Sequence, residues 1–426
     1  MHLSRLTIAL ALACAAAALA APPHARAAAD IRYGLTDDAW LLDGPGTPAE
    51  RVARLQAIGV RVVRFSLRWN EIAPRAPAVP TDPDDAAYDW AADSAVLDAL
   101  RHAHIEVVLQ LVGTPAWANG GRGPNWAPAT SSTFASFAAA AAREYPWVTR
   151  WLVWNEPNQR LWLRPTSPAV YVVRLLNPAY QAIHDVIPGA QVAGGGTAPR
   201  GGTGGVSPVA WLTGMHRAGA LLDAYAHNPY PLDPKHETPT SGGCAHCTTI
   251  TMATLGRLEA LVAKDFPHAR IWLTEYGYQS DPPDSILGVS LAKQARYLAE
   301  AAYVAYHAPR VDLLVHFLYR DEPSIARFQS GLTTIGNAVK PAYHAFELPL
   351  AELSRRGTHT FLWGQLRAPG TGPVATLERH TEAGWRRVAA IRRGAGGFFR
   401  WNGTLPRGSI VRLVAGTVTG ANLTVT

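Results

Sequence analysis

The sequence has few cysteines, no basic runs and no long apolar stretch after residue 29. Only two of its three cysteines, Cys244 and Cys247, follow that point in the 426-residue chain, which excludes a fold stapled by many disulfides. No later segment is apolar over the ~20 residues that a membrane helix needs. The net charge is +7, but the basic residues are almost all arginine and are scattered. We therefore expect neither a nucleic-acid partner nor membrane insertion of the mature chain.

Residues 1–29 have the pattern of a secretory signal peptide. Arg5 gives a positive start, residues 6–21 form an alanine-rich apolar core, and residues 25–27 are a small-x-small cleavage site. One alternative is a lipoprotein signal that uses Cys14, although the apolar run before Cys14 is short. Another is an uncleaved anchor, for which the apolar stretch falls short of a membrane span. We expect a protein that is secreted, extracellular or at the cell surface.

Cys244 and Cys247 lie in a glycine-containing loop. In an oxidising compartment, a local disulfide that closes this loop is the favoured interpretation. The alternative is a metal site formed by His236, His246 and both cysteines, but the spacing lacks the second matching pair of typical zinc sites.

Residues 30–350 alternate short apolar runs with amphipathic segments, which predicts a (β/α)8 TIM barrel. An open doubly wound sheet is the rival fold, and it would need a glycine-rich phosphate turn after the first strand. Gly194-Gly195-Gly196 follows the fifth run instead, lacks the required spacing, and is interpreted as a sharp turn. The predicted strands lie near 31–34, 60–67, 106–112, 150–154, 191–194, 221–226, 270–273 and 311–318, each followed by a helix.

Residues 358–426 change character. Short alternating runs are separated by Gly, Pro and Asn at close intervals, which predicts a small all-β sandwich domain. Trp385 or Trp401 could bind glycan there, but tryptophans on alternating strands are more often buried in the core, and we favour that interpretation.

Two glutamates occupy equivalent positions in the predicted barrel. Glu156, in the segment Trp154-Asn155-Glu156-Pro157, and Glu275, in Thr274-Glu275-Tyr276-Gly277, each follow a short apolar run. Both therefore lie at C-terminal strand ends, where barrel active sites form. Either glutamate alone could be a surface or salt-bridged residue. As a pair they match glycoside hydrolysis, which uses one carboxylic acid as acid/base and one carboxylate as nucleophile.

Further residues strengthen this pattern. Arg64 ends the second strand and His227-Asn228-Pro229-Tyr230 ends the sixth. Together with the two glutamate motifs, and in this order along the chain, they resemble the clan A retaining glycoside hydrolases over residues 30–348. Within the clan, the resemblance is greatest to families 39 and 5. The resemblance implies a retaining O-glycoside hydrolase with Glu156 as acid/base and Glu275 as nucleophile.

The resemblance also implies supporting roles. Asn155 would bond the sugar 2-hydroxyl, Arg64 and Tyr230 would orient and stabilise the nucleophile, and His227 would line the site near the acid/base. In retaining geometry the two carboxyl groups would be roughly 5 Å apart. No metal or organic cofactor is expected, because both reacting groups are protein carboxylates.

The aromatic residues of the site are harder to assign from sequence. Trp117 and Trp126, in the loop after the third strand, are candidates for a sugar platform or for packing. Many clan members place a tryptophan at the end of the eighth strand, where this chain offers Phe317 or Tyr319. Glu71, after the second strand, is a further site carboxylate or a loop salt bridge.

The expected partner is an oligosaccharide or polysaccharide, and the expected state is a monomer. Three alternatives stay open: a transglycosylase that remodels cell-surface polysaccharide, a non-catalytic glycan-binding barrel, and a metal-dependent hydrolase that uses the His and Cys cluster.

Overall fold

Eight parallel strands close into a barrel in the computed structural model, which describes residues 30–426. Each strand pairs with the next along the chain, and the eighth pairs with the first. The predicted barrel is therefore confirmed, while the predicted signal peptide lies outside the described residues. The strands, numbered β1 to β8, are Arg32–Thr36, Val62–Arg68, Glu106–Val112, Arg150–Val153, Gln191–Thr197, Ala224–His227, Arg270–Tyr276 and Val311–Phe317.

Helices follow every strand and cover the outside of the barrel. Thr47 and Glu50 cap the first long helix reciprocally, the N–H of each bonding the side chain of the other at 2.7 and 3.3 Å. The principal helices are Pro48–Ala57, Ala91–His102, Ser131–Glu144, Asn177–Val186, Pro208–Arg217, Leu255–Asp265, Leu291–Tyr306 and Pro341–Glu347. Shorter pieces are Asp38–Asp43, Trp69–Ile72, Ala116–Asn119, Pro168–Tyr171 and Met252–Thr254.

The helical segment that follows β4 is interrupted by a π-helical turn at Val172–Leu176, between the α-helical pieces Pro168–Tyr171 and Asn177–Val186. Pro178, in the first turn of the α-helix that follows, has no N–H to bond the carbonyl of Arg174 in the usual α-helical pattern. The loss of that bond accounts for the wider turn immediately before it.

The barrel interior changes from apolar to polar along the strands. Its apolar part contains Trp272, packed with small alanines on β5 and β6, and valine or leucine side chains from other strands. Because side chains alternate along a strand, Arg64 and Gln110 occupy the same face as Val62 and Val108, nearer the C-terminal ends. A polar layer therefore forms at the end of the barrel where the two glutamates lie.

Two antiparallel sheets form a second domain after the barrel, as predicted. Their shared core includes Leu350, Leu362, Leu377, Phe399 and Leu413. The first strand, β9, precedes residue 358, the start predicted from sequence. The strands β9 to β16 are Leu350–Arg356, His359–Gln365, Val374–Thr381, Gly384–Arg392, Phe398–Thr404, Ile410–Ala415, Val418–Thr419 and Leu423–Thr424, and β9-β10-β13 form one sheet while β12-β11-β14-β15, with β16, form the other.

The second domain packs against the outside of the barrel. Trp363 on β10 is buried against Tyr303 and Tyr306 of the helix Leu291–Tyr306. Of the two tryptophans considered for glycan binding, Trp401 packs partly against the domain core. Trp385 lies beneath the guanidinium of Arg412, 4.0 Å from the ring centroid. Both rings thus make packing contacts.

Within residues 30–426, no helix is long and apolar enough to span a membrane.

Candidate active site

Glu275 lies near the end of β7 and meets hydrogen-bond donors at both carboxylate oxygens. Arg64 Nη1 donates to Oε1 at 2.6 Å, and the Tyr230 hydroxyl donates to Oε2 at 3.0 Å. The ion pair is buried, with 6% and 9% of the arginine and glutamate side chains exposed. Although burial opposes it, the neighbouring Glu275 carboxylate raises the pKa of Arg64. The guanidinium therefore stays charged and stabilises negative charge on Glu275.

Glu156, three residues beyond Val153 at the end of β4, has a neutral partner. Asn228 Nδ2 donates to its Oε1 at 3.1 Å. The Thr274 hydroxyl donates to Asn228 Oδ1 at 2.7 Å, which fixes the orientation of the amide. Burial, reinforced by the charge of Glu275, raises the pKa of Glu156 to about 8. This carboxyl group can therefore hold a proton near neutral pH.

The backbone around Glu156 has an unusual conformation. Trp154 and Glu156 have φ angles of 69° and 36°, in the left-handed region that non-glycine residues rarely adopt. Such conformations are held by surrounding contacts and are found mostly at functional sites. Here Trp154 N donates to Leu111 O at 2.9 Å and Glu156 N to Gly196 O at 3.0 Å.

Gly195 and Gly196 belong to the irregular end of β5, so the sharp turn predicted for this segment is wrong. Both have positive φ, and the pairing register with β6 shifts between Gly194 and Thr197. Glycine tolerates this conformation because it has no Cβ. The irregularity brings the Gly196 carbonyl to the N–H of Glu156.

Asn155 is oriented by two donors inside the barrel. Arg64 Nη1 and Gln110 Nε2 both donate to Asn155 Oδ1 at 3.4 Å. Gln110 also donates to Trp154 O at 2.8 Å and accepts from the Ser66 hydroxyl at 2.9 Å. Because the Asn155 oxygen meets the donors, its Nδ2 group is the part turned to other partners.

His227 does not line the cleft beside Glu156, where the resemblance had placed it. Its side chain is completely buried. Nε2 donates to Ile250 O at 3.1 Å, and Nδ1 accepts from the Thr197 hydroxyl at 2.8 Å. Burial lowers the pKa of His227 to about 4, so the ring is neutral. It connects β5 with the loop after β6, and the neighbouring Asn228 makes the contact with Glu156.

Three aromatic residues that were candidates for the site contact other residues of the protein. The Trp117 indole donates to Ala73 O at 2.9 Å. Trp126 lies beneath the Arg122 guanidinium, 4.3 Å from the ring centroid. Tyr319 is buried and stacks on Trp40 at 3.9 Å.

Phe317, the other candidate at the end of β8, lies close to the glutamates. Its ring is 6.4 Å from that of Tyr230 and 4.9 Å from that of Phe328. Phe328, Trp162 and Tyr278 line the cleft that contains Glu156. Trp162 and Phe328 were not predicted because they lie in loops without a recognisable motif. Tyr278 was not predicted because its position just beyond the Glu275 motif does not reveal which way its ring faces.

The C-terminal end of the barrel opens into two adjoining clefts that meet at Leu161 and Trp162. One, which we call the β2–β4 cleft, lies over the C-terminal ends of β2 to β4 and has a volume of about 580 Å³. The other, which we call the glutamate cleft, is lined by Glu156 and Tyr230, among others, and has a volume of about 420 Å³. The β2–β4 cleft is lined by the polar residues Arg68, Asn70, Glu71, Asn125 and Arg327 and by apolar residues that include Val112, Pro124 and Trp154.

The predicted local disulfide is confirmed: Cys244 and Cys247 are bonded to each other in the loop after β6. The two thiols proposed as metal ligands in the alternative interpretation are therefore joined by a covalent bond. Among residues 30–426, no group of three or more His, Cys, Asp or Glu side chains is arranged to hold a metal ion.

No protein-family model and no curated protein matches the chain, but many solved structures do. CelM2, a bifunctional glucanase-xylanase from a metagenome library, aligns with a TM-score of 0.53 at 11% identity, over 92% of this chain and 98% of that one. Xylanase 10B from Thermotoga petrophila aligns with a TM-score of 0.51 at 14% identity, over 74% and 93%.

A calcium-binding mutant of Bacteroides uniformis beta-glucuronidase 2 aligns with a TM-score of 0.50 at 14% identity. That match covers 93% of this chain but 45% of the glucuronidase, so the chain spans less than half of its length. At these identities the matches show a shared fold, the (β/α)8 barrel. Families 39 and 5 are not singled out.

Proposed function

We propose that this protein is a retaining O-glycoside hydrolase with Glu275 as nucleophile and Glu156 as acid/base. The observation that supports this most strongly is the contrast between their partners. Glu275 pairs with an arginine and a tyrosine hydroxyl, while Glu156 meets a neutral amide in a buried environment. Retaining hydrolysis requires this division, because one carboxyl must attack as an anion while the other donates a proton.

In the first step, a Glu275 oxygen forms a bond to the anomeric carbon as the glycosidic bond breaks. Glu156 transfers its proton to the departing oxygen. The negative charge of Glu275 is lost in the ester, and with it the repulsion that favours protonation of Glu156. In the second step, ionised Glu156 takes a proton from water, which attacks the anomeric carbon and releases Glu275.

Asn155 and Tyr230 assist the nucleophile in this proposal. The Asn155 amide, held through its oxygen by Arg64 and Gln110, presents Nδ2 to the sugar 2-hydroxyl. Tyr230 holds the oxygen of Glu275 that is not bonded to Arg64. Such hydrogen bonds contribute most when they strengthen as charge develops in the transition state.

The experiment that tests the proposal is mechanism-based trapping. A panel of aryl glycosides identifies the sugar, and the matching activated 2-deoxy-2-fluoro glycoside is then incubated with the enzyme. Peptide mass spectrometry is expected to locate a glycosyl ester on Glu275, and the Glu275→Gln variant to carry none. A label on another residue, or turnover with inverted product, would assign the chemistry differently.

Export from the cell is also part of the proposal, supported by the composition of residues 1–29 and by the disulfide. Expression of the full chain should yield a mature protein in the culture medium or at the cell surface, cleaved after the apolar segment. Intact-mass measurement checks the cleavage, and light scattering checks the expected monomer.

A further inference from the structure

Lys340 is a buried lysine directly before the last barrel helix, Pro341–Glu347. Its side chain and that of Asp321 are each 2% exposed, and Lys340 Nζ donates to Asp321 Oδ1 at 2.7 Å. The ammonium group also donates to Ser280 Oγ at 2.9 Å and to Gln329 O at 3.2 Å. These three contacts use all three of its hydrogen atoms. The lysine thus joins the loop after β7, which contains Ser280, to the loop after β8, which contains the other two partners.

The residues beside these contacts form part of the glutamate cleft. Gln279 precedes Ser280, Phe328 precedes Gln329, and both Gln279 and Phe328 line that cleft. Two more hydrogen bonds join the loops at this point: Ser280 N donates to Gln329 O at 3.0 Å, and Gln329 N donates to Gln279 Oε1 at 2.8 Å. The lysine contacts therefore help to fix the separation of two loops that form one wall of the cleft.

Phe328 connects this wall to the ring of Tyr230. The Tyr230 ring centroid is 6.1 Å from that of Phe328. It is 6.4 Å from those of Phe317 and Tyr276. Phe317 ends β8 and Tyr276 ends β7, so the barrel fixes their backbone. Phe328 lies in the loop after β8, and its position depends on the contacts that hold this loop.

We propose that Lys340 is a positioning residue for the nucleophile. By holding the loop after β8, it keeps Phe328 against the Tyr230 ring. The ring in turn keeps its hydroxyl on Glu275 Oε2, to which it donates at 3.0 Å. The inference rests on the proposed function for the role of Glu275. Lys340 lines neither of the two clefts, so it acts through other residues.

The buried ion pair also affects the stability of the fold. Desolvation of two charges offsets much of their attraction, so such a pair is not by itself evidence of function. Loss of one partner leaves an uncompensated buried charge, which destabilises a protein wherever the pair lies. A test of the proposal therefore has to separate a change at Tyr230 from a general loss of stability.

The first test measures position without turnover, by crystallography of Lys340→Met and of Lys340→Met/Asp321→Asn. In both variants the loop after β8 loses the ammonium group, so Phe328 should move away from Tyr230. The Tyr230 hydroxyl should then no longer bond Glu275. An unchanged Phe328 and Tyr230 in both structures would overturn the proposal, whether or not the protein hydrolyses any glycoside.

Arg296→Met is the matched control. Arg296 Nε bonds Glu300 Oε1 at 2.6 Å, and the Glu300 side chain is 4% exposed. The pair lies on the helix Leu291–Tyr306, outside the barrel. Like Lys340→Met, the control variant leaves a buried carboxylate without its cation. It should lower the melting temperature but keep the Tyr230 hydroxyl on the nucleophile and the wild-type kcat/KM.

The double variant Lys340→Met/Asp321→Asn separates position from stability. It removes both buried charges and keeps an oxygen for Gly331 N, which donates to Asp321 Oδ1 at 2.9 Å. Thermal denaturation should therefore show a higher melting temperature than for Lys340→Met. The lowered kcat/KM should remain, because the contacts with the two loops are still lost. Recovery of activity together with stability would show that the lysine acts on stability alone, and would overturn the proposal.

The last test compares two backgrounds and separates this inference from the proposed function. With the sugar identified by the aryl panel, Lys340→Met should lower kcat/KM about tenfold, as expected when a hydrogen bond to a charged group is lost. In the Tyr230→Phe background no hydroxyl is left to position, so the same change should cost less than about twofold. Equal factors in both backgrounds would overturn the positioning role and leave the glycosidase assignment standing. A displaced Tyr230 in a protein that hydrolyses no glycoside would do the reverse.

Discussion

Glu275 and Glu156 are the same residue type at equivalent positions of one barrel, yet their surroundings differ. The β7 carboxylate is held by a charged guanidinium and a phenolic hydroxyl. The β4 carboxyl accepts one hydrogen bond from an amide that Thr274 holds in place. The partner residues on β2 and after β6 therefore determine which glutamate is the anion and which is the proton donor, because the two glutamate side chains are chemically identical.

Removal of the nucleophile should cause the largest loss of activity. Glu275→Ala should lower kcat/KM by at least about 10⁴-fold, because the covalent route is lost. Azide should restore part of the activity and give a glycosyl azide of inverted configuration, measured by product NMR. Glu259→Gln, on the helix Leu255–Asp265, is the control and should retain the wild-type rate. A Glu275→Ala enzyme of near wild-type rate would show that the nucleophile lies elsewhere.

Removal of the proton donor should have a smaller and more selective effect. Glu156→Gln should lower hydrolysis of glycosides with poor leaving groups by about 10²–10⁴-fold, while the glycosylation step with glycosyl fluorides changes much less.

The pH dependence follows from the raised pKa of Glu156. Since the acid is active only when protonated, wild-type kcat/KM on poor leaving groups should decline as pH rises through about 8. Glu156→Gln should lose this decline when kcat/KM is measured on the same substrates with poor leaving groups. An unchanged alkaline limb in the variant would assign it to another group.

Tyr230→Phe tests one of the two donors to Glu275 and keeps the aromatic ring. A hydrogen bond to a charged group contributes about 1.5–3 kcal/mol, so kcat/KM should decline about 10- to 150-fold. The matched control is Tyr180→Phe. It removes a hydroxyl that bonds Asp223 at 3.4 Å, in a part of the molecule away from the glutamates. Equal rates for wild type and Tyr230→Phe would mean that Arg64 suffices to hold the nucleophile.

Removal of the Asn228 contact with Glu156 should have the smallest effect, a shift in the pH dependence. Asn228→Ala removes a hydrogen bond that favours the ionised form of Glu156, so the alkaline limb should move to higher pH, by up to about one unit. Thr274→Val should move it in the same direction because the Asn228 amide is then no longer oriented. A shift to lower pH, measured in kcat/KM profiles, would contradict this role.

Periodicity predicted the barrel strands well because each is an apolar run bounded by turn residues. It missed β9, whose outer residues include Glu352, Arg355 and Arg356 and so look like a loop. It also placed Gly195 and Gly196 in a turn, because glycine cannot distinguish a turn from an irregular strand without knowledge of the neighbouring strands.

The candidate site was predicted in part. The motifs around Glu156 and Glu275 were found because each stands directly beyond an apolar run. Asn228 was passed over in favour of His227, its neighbour, since adjacent residues in a strand end point in opposite directions and the sequence does not say which one faces the cleft. Gln110 was missed because it lies inside an otherwise apolar strand.

The sequence by itself determined the order of strands and helices, the local disulfide and the two glutamates at strand ends, because these depend on patterns within a few residues. Only the tertiary structure decided that Arg64, Tyr230 and Asn228 meet those glutamates. These features join residues up to 211 positions apart. Closure of the barrel brings such residues together in space. A pattern within a few residues does not indicate which distant residues will meet.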